Sequence, residues 1–141
     1  MRIDHANTIA NAVDKLNAGD VQGYVTALYA PECQFHGFPD DFPPTRDGIA
    51  NFFLTLIGAV PDARITARDI LVDNDRVALR YVLTGTHRGE LFGAAGTGRS
   101  LEVEGITVVQ FVDGVVVERW NRLDDMGLLA QLGALPVSAP A

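Results

Sequence analysis

The dipeptide Asp113-Gly114, set between two β-rich runs, constrains this chain most. Before it, Leu101-Glu102-Val103-Glu104-Gly105-Ile106-Thr107-Val108-Val109 alternates with period two. After it comes Val115-Val116-Val117-Glu118-Arg119-Trp120, again rich in strand formers. An Asp-Gly link of two residues between such runs is the strongest short hairpin signal, because both positions tolerate the positive φ of a tight turn. The same alternation starts after Pro61. It predicts strands over Ala63–Val72, Arg76–Arg88, Leu101–Val112 and Val115–Leu123, with Asn74-Asp75 marking another turn. A meander of long antiparallel strands must bury one face, and something has to cover it.

The N-terminal half supplies the cover. Residues 4–18 carry Ile9, Ala12, Val13 and Leu16 at helical spacing, with Gly19 as a stop. Asp20 is placed to cap a second helix from Val21 to about Ala30, burying Tyr24, Val25 and Leu28 and ended by Pro31. A short strand follows over Cys33–Phe38, then a rigid loop with Pro39, Pro43 and Pro44. Arg46–Ala59 reads as a third helix, capped by Asp47, with Ile49, Phe52, Phe53, Leu56 and Ile57 on its apolar face. A short last helix covers Asp125–Leu132. The expected fold is α+β: about three N-terminal helices against a curved, mostly antiparallel sheet, forming a cone-shaped barrel with a short C-terminal helix. Residues 1–134 make the one domain, and 135–141 are expected to be a flexible tail. A curled sheet capped by helices leaves a blind cavity suited to a small molecule.

Charge and motifs remove several functions. The formal net charge is -7 and the basic residues form no stripe, so no nucleic-acid partner is expected. No apolar run is long enough to span a bilayer, and no apolar segment follows Met1-Arg2-Ile3-Asp4-His5 as a signal peptide requires. The lone Cys33 has no internal disulfide partner, which fits a cytoplasmic protein. Three scattered histidines and one cysteine give no metal-ligand spacing, so no metal is expected. No Gly-x-Ser-x-Gly element supports an acyl-enzyme serine. Gly93-Ala94-Ala95-Gly96-Thr97-Gly98-Arg99-Ser100 resembles a phosphate loop, but a strand follows it where a phosphate loop opens a helix.

The candidate chemistry sits on the last strand. Glu118, Trp120, Arg122 and Asp124 share one face if the strand runs that far. An acid beside an indole in a poorly hydrated place is held partly protonated, which suits proton transfer. Asp124 is placed to cap the last helix, a role that can coexist with catalysis, but Asp125 next door is the better cap candidate, which frees Asp124 for the cavity. His87 ends a strand, where a histidine is as often an exposed loop residue as a catalyst; free imidazole, with a pKa of about 6.5, suits either half of a proton transfer. His36 lies among aromatics on the first strand as a core or rim residue. Arg80 interrupts an apolar strand and is expected to pair structurally with Glu102, Glu104 or Glu118.

With these residues assembled, the chain resembles the SnoaL-like polyketide cyclases of the nuclear-transport-factor-2-like (cystatin-like cone) superfamily. The matching pieces run in the family's order and cover nearly the whole chain to about residue 134. They include Phe38-Pro39-Asp40, Arg46-Asp47-Gly48-Ile49, Pro61-Asp62-Ala63, Gly85-Thr86-His87-Arg88-Gly89-Glu90-Leu91, Glu118-Arg119-Trp120, and Asp124 through Gln131-Leu132-Gly133. Gly96 stands where the family often has proline, and Gln110 where arginine is frequent. The resemblance implies a homodimer or homotetramer and intramolecular aldol closure of a small hydrophobic polyketide, without cofactor. It puts the catalytic aspartate on Asp124 and a partner histidine on His87. Phe35, Phe38, Phe52, Leu56 and Trp120, with His36, are expected to grip the substrate. The alternatives are epoxide opening, isomerisation or dehydration on the same cone, and a non-catalytic ligand-binding domain. An aspartate two residues after an arginine on a central strand would favour epoxide hydrolysis; two after Arg80 stands Val82.

Overall fold

A computed structural model describes residues 4–133, so the expected tail at 135–141 falls outside the described residues. In chain order the elements are α1 (His5–Asn17), α2 (Val21–Leu28), β1 (Tyr29–His36), α3 (Arg46–Ala59), β2 (Arg64–Asp73), β3 (Arg76–Thr86), β4 (Ser100–Val112), β5 (Val115–Leu123) and α4 (Asp125–Leu132). The fold is α+β, as the alternation of patterns predicts.

Local chemistry sets the helix ends. Asp4 caps α1 by accepting the Asn7 N–H at 3.0 Å, and Asp20 caps α2 through Gly23 at 2.9 Å. The expected cap of α3, Asp47, is corrected to Thr45, whose hydroxyl accepts the Gly48 N–H at 3.1 Å. Thr45 has extended backbone (φ -126°, ψ 166°), whereas Asp47 already lies in the first helical turn, where its charge suits the helix N-terminus.

The five strands form one sheet in the order β1-β5-β4-β3-β2. β2 to β5 are a continuous antiparallel meander, and β1 adds parallel to β5. Asp113 and Gly114 both have positive φ, 51° and 85°, in the two-residue turn that joins Val112 to Val115. β1 and β2 remain open edges, so the expected barrel is an open curved sheet closed by helices on one side.

Strand β1 begins at Tyr29, four residues earlier than expected, and α2 stops at Leu28. Pro31 biases Ala30 toward extended backbone and then sits inside the strand. An edge strand tolerates its missing N–H, and the β1–β5 register shifts between Tyr29 and Gln34.

The core lies between the helices and one face of the sheet. Ile9, Leu16, Val25, Ile49, Phe53 and Leu56 meet Leu79, Tyr81, Val103, Val109 and Phe111 there. β4 alternates cleanly: Leu101, Val103, Gly105, Thr107, Val109 and Phe111 point in, while Glu102, Glu104 and Ile106 point out.

Cys33 is buried in this core, and burial pushes its thiol up to about 12. Thiolate is the reactive form, so native protein at pH 8 is expected to resist iodoacetamide until denatured. Mass spectrometry before and after urea checks this; rapid native labelling would show that the β1 edge opens.

Candidate active site

Arg119 is the one arginine or lysine that is buried among the described residues, and the site is built around it. On β5 its neighbours in sequence, Glu118 and Trp120, lie on the outer face, so strand alternation drives Arg119 and Asn121 inward. Its Nη1 donates to the Tyr29 hydroxyl at 2.6 Å and the Tyr24 hydroxyl at 3.1 Å. Nε donates to Thr107 Oγ1 at 3.0 Å, and Nη2 to Asn121 Oδ1 at 3.2 Å. Tyr81 donates to the same Asn121 oxygen at 2.8 Å. The Phe38 ring stacks on the guanidinium, 5.1 Å from its carbon.

Every one of these partners is neutral, and Arg119 has no salt bridge among the described residues. Burial works against its charge, but the neighbouring Tyr29, Tyr24 and Tyr81 outweigh that and hold the guanidinium above its ordinary value. Burial pushes Tyr29 well above the usual phenol range and raises Tyr81 too, with Arg119 pulling only partly back. At neutral pH the cluster is therefore a cation surrounded by intact hydroxyls. A buried cation without a counter-anion is costly, and its field in an apolar surrounding is strong.

Two cavity lobes meet at this cluster. Each has a volume of about 30 Å³, and Phe53, Ile65, Tyr81 and Arg119 line both. The inner lobe reaches Ile9, Leu28 and Val109, and the outer one Phe38, Phe52, Leu56, Phe92 and Leu128. Phe38, Phe92 and Leu128 also line a wider groove of about 240 Å³. No Asp, Glu or His lines either lobe.

The expected site residues separate into two groups. Phe38, Phe52 and Leu56 line the outer lobe, and Phe35 is buried behind Phe38 with ring centroids 5.9 Å apart. Trp120 and His36 are corrected to the outer face of the sheet. The parallel register pairs His36 with Trp120, their rings stack at 5.6 Å, and His36 Nε2 contacts Glu118 at 2.7 Å. Arg76 covers the other part of the indole at 5.4 Å.

Asp124 also departs from its expected place. The strand ends at Leu123, so alternation no longer carries Asp124 to any face of the sheet. Its carboxylate is exposed and accepts the Gly127 N–H at 3.0 Å, making Asp124, not Asp125, the cap of α4. His87 is fully buried outside both lobes. Its Nδ1 meets Thr97 Oγ1 at 3.1 Å, and its backbone bonds Arg99 and Gly98, so it pins the base of the loop that carries Phe92. Arg80 is exposed and structural: it donates to Asp69 at 2.7 Å and approaches Glu104 at 3.9 Å.

Sequence reasoning missed Arg119, Asn121, Tyr24, Tyr29, Tyr81 and Thr107 as site residues. One signal was available. β5 carries polar residues on both faces, Glu118 and Arg122 on one and Arg119 and Asn121 on the other, so one polar pair had to be enclosed.

Comparison with known proteins agrees with this architecture. The sequence is similar to aklanonic acid methyl ester cyclase AcmA of Streptomyces galilaeus, 39% identical over 72 residues; the match spans 51% of this chain and 50% of AcmA. The fold is similar to IdmH of Streptomyces antibioticus, a proposed polyketide cyclase, with TM-score 0.80 and 32% identity over 92% of this chain and 99% of IdmH. It is also similar to AclR of Streptomyces galilaeus, a proposed hydroxylase, with TM-score 0.83 and 29% identity over 94% and 97% of the two chains. The family model described as SnoaL-like polyketide cyclase matches residues 7–132, and with an open cone of this topology the chain belongs to that family.

Proposed function

We propose that this protein closes a ring in a small hydrophobic polyketide-like substrate by intramolecular aldol condensation, with its side chains holding the developing charge and water taking up the first proton. The observation that carries the reading is Arg119: an unneutralised guanidinium among phenols, inside an apolar chamber. An aldol closure begins with loss of a proton from carbon next to a carbonyl. The resulting enolate carbon attacks a second carbonyl carbon; a carbon–carbon bond forms, and that carbonyl's π electrons move onto its oxygen. Negative charge thus develops on oxygen twice, and pre-oriented donors in a dry site stabilise it strongly. Arg119 and Asn121 hold the first oxygen. A phenol of the Tyr24–Tyr29 pair gives its proton to the second and recovers one from water. Phe38, Phe52 and Leu56 fold the chain so that the reacting carbons meet. The direct test is product analysis with an aromatic 1,3-diketone bearing a second ketone at ring-forming distance. Carbon NMR is expected to show one ketone signal replaced by a carbinol signal; a persistent ketone would count against ring closure.

In this reading Asp124 holds α4, which brings Leu128 to the chamber. Asparagine caps as well as aspartate, so Asp124→Asn is expected to keep turnover, while Asp124→Ala costs about 1 kcal/mol of stability. A base would behave otherwise: Asp124→Asn would then lose most turnover at unchanged thermal stability. Steady-state rates and melting curves of the two variants decide between cap and base.

A further inference from the structure

The hydrogen bonds that the Arg119 cluster leaves unspent identify the charge of its ligand. Arg119 is a pure donor, so Asn121 must turn its oxygen toward Nη2, and its NH₂ group faces the other way. No acceptor among the described residues meets that NH₂ group, and Asn121 lines the outer lobe. The Thr107 hydroxyl is spent on the Trp120 carbonyl at 2.7 Å, and the Tyr81 hydroxyl on Asn121. The Tyr24 and Tyr29 hydroxyls meet at 2.5 Å, so one donates to the other and one O–H is left. Arg119 keeps a second Nη2 proton. What remains unspent includes three donors, the Asn121 NH₂ group, one phenol O–H and one Nη2 proton, around a fixed positive charge, with no carboxylate lining either lobe.

We infer that the chamber takes its substrate as the enolate of a 1,3-dicarbonyl, a planar anion that spreads one charge over two oxygens. The inference rests on the cyclase reading and specifies how that site obtains its nucleophile. The carbon acid loses its proton to water, and the enclosed cation holds the enolate that results. The free Nη2 proton and the free amide NH₂ offer one donor each to the two oxygens, and the guanidinium charge attracts the anion. Selective binding of the anion lowers the ionisation pH of the bound dicarbonyl, since preference for one protonation state and a shifted pKa are the same free energy. No protein base need enter the chamber.

Benzoylacetone tests this, because its enolate absorbs at longer wavelength than its neutral forms. With the full chain in excess, the pH at which the probe is half ionised is expected to fall by about one unit or more, a tenfold preference for the anion. Arg119→Met should abolish the shift while still melting cooperatively. Benzoate, which offers two oxygens as a carboxylate, is expected to compete; methyl benzoate is not. Unshifted ionisation at saturating protein, an equal shift in Arg119→Met, or no binding of either benzoylacetone or benzoate would overturn the inference. A shifted enolate without carbinol formation from the tethered diketone would instead sink ring closure and leave the anion site standing. Ring closure at full rate in Arg119→Met would do the reverse.

Discussion

Arg119→Met is expected to lower turnover by roughly 10²–10³-fold, the usual loss when one pre-oriented donor to a developing oxyanion is removed. Stability should hardly move. The substitution removes hydrogen bonds from a charged donor, each worth about 1.5–3 kcal/mol. It also removes the cost of an unneutralised charge in the core, and exchanging buried ionic groups for apolar ones is often neutral or favourable by about 1–4 kcal/mol. The terms oppose each other, and Tyr24 and Tyr29 keep their mutual hydrogen bond. Methionine also fills irregular space well. Arg119→Lys keeps the charge but loses the planar fork, so intermediate activity is expected. Rates and melting temperatures of the three proteins check this. A methionine variant that unfolds would make Arg119 structural; one that turns over normally would remove it from the chemistry.

Gly105→Ala is the second large effect expected. Gly105 lies opposite Tyr81 in the β3–β4 ladder, and an added Cβ would fall 2.3 Å from Tyr81 Cζ and 2.4 Å from its hydroxyl. Tyr81 is buried, so the ring has no free path aside. Overpacking of this kind costs about 1–3 kcal/mol. It also parts the Tyr81 hydroxyl from Asn121 and leaves the amide free to turn away from Arg119. Turnover should fall well beyond what the lost stability explains. Tyr81→Phe removes only the hydroxyl and should cost about 0.5–1.5 kcal/mol. In a double-mutant cycle the two changes are expected to be strongly non-additive. Simple additivity would mean that Gly105 matters through the sheet and not through Tyr81.

The backbone plan was legible because it rests on periodicity. Asp113-Gly114 located its hairpin, and α3 has the expected bounds because its apolar residues repeat at helical spacing over fourteen positions. Pro31 misled because a proline reads as a helix stop wherever it falls, and only the sheet order shows that its strand is an edge. The aromatic lining was legible at Phe38, Phe52 and Leu56, where bulk and apolarity leave little choice of side. The polar centre was not. Alternation correctly grouped Glu118 with Trp120 and opposed them to Arg119, but it does not say which group faces the helices. An indole normally takes the inside. Here His36 stacks on it and Arg76 lies over it outside, and the guanidinium goes in, because Tyr24 and Tyr29 supply hydroxyls from α2 and β1. That pairing is long-range and leaves no mark in local sequence. Asp124 was misplaced because it shares the parity of Glu118 and Trp120, which face outward, and because the strand stops one residue before it, where its carboxylate becomes a cap.

The parallel seam between β1 and β5 has a consequence for biogenesis. Phe35 aligns with Arg119 across more than half the chain's length, whereas the other pairings, β2–β3, β3–β4 and β4–β5, join strands that follow one another in the chain. On the ribosome the first strand emerges long before its template, and its backbone stays unpaired until the last strand leaves the exit tunnel. Distant closures of this sort are slow. Tyr29 therefore reaches Arg119 only after β5 has been made, in the same event that pairs β1 with the sheet.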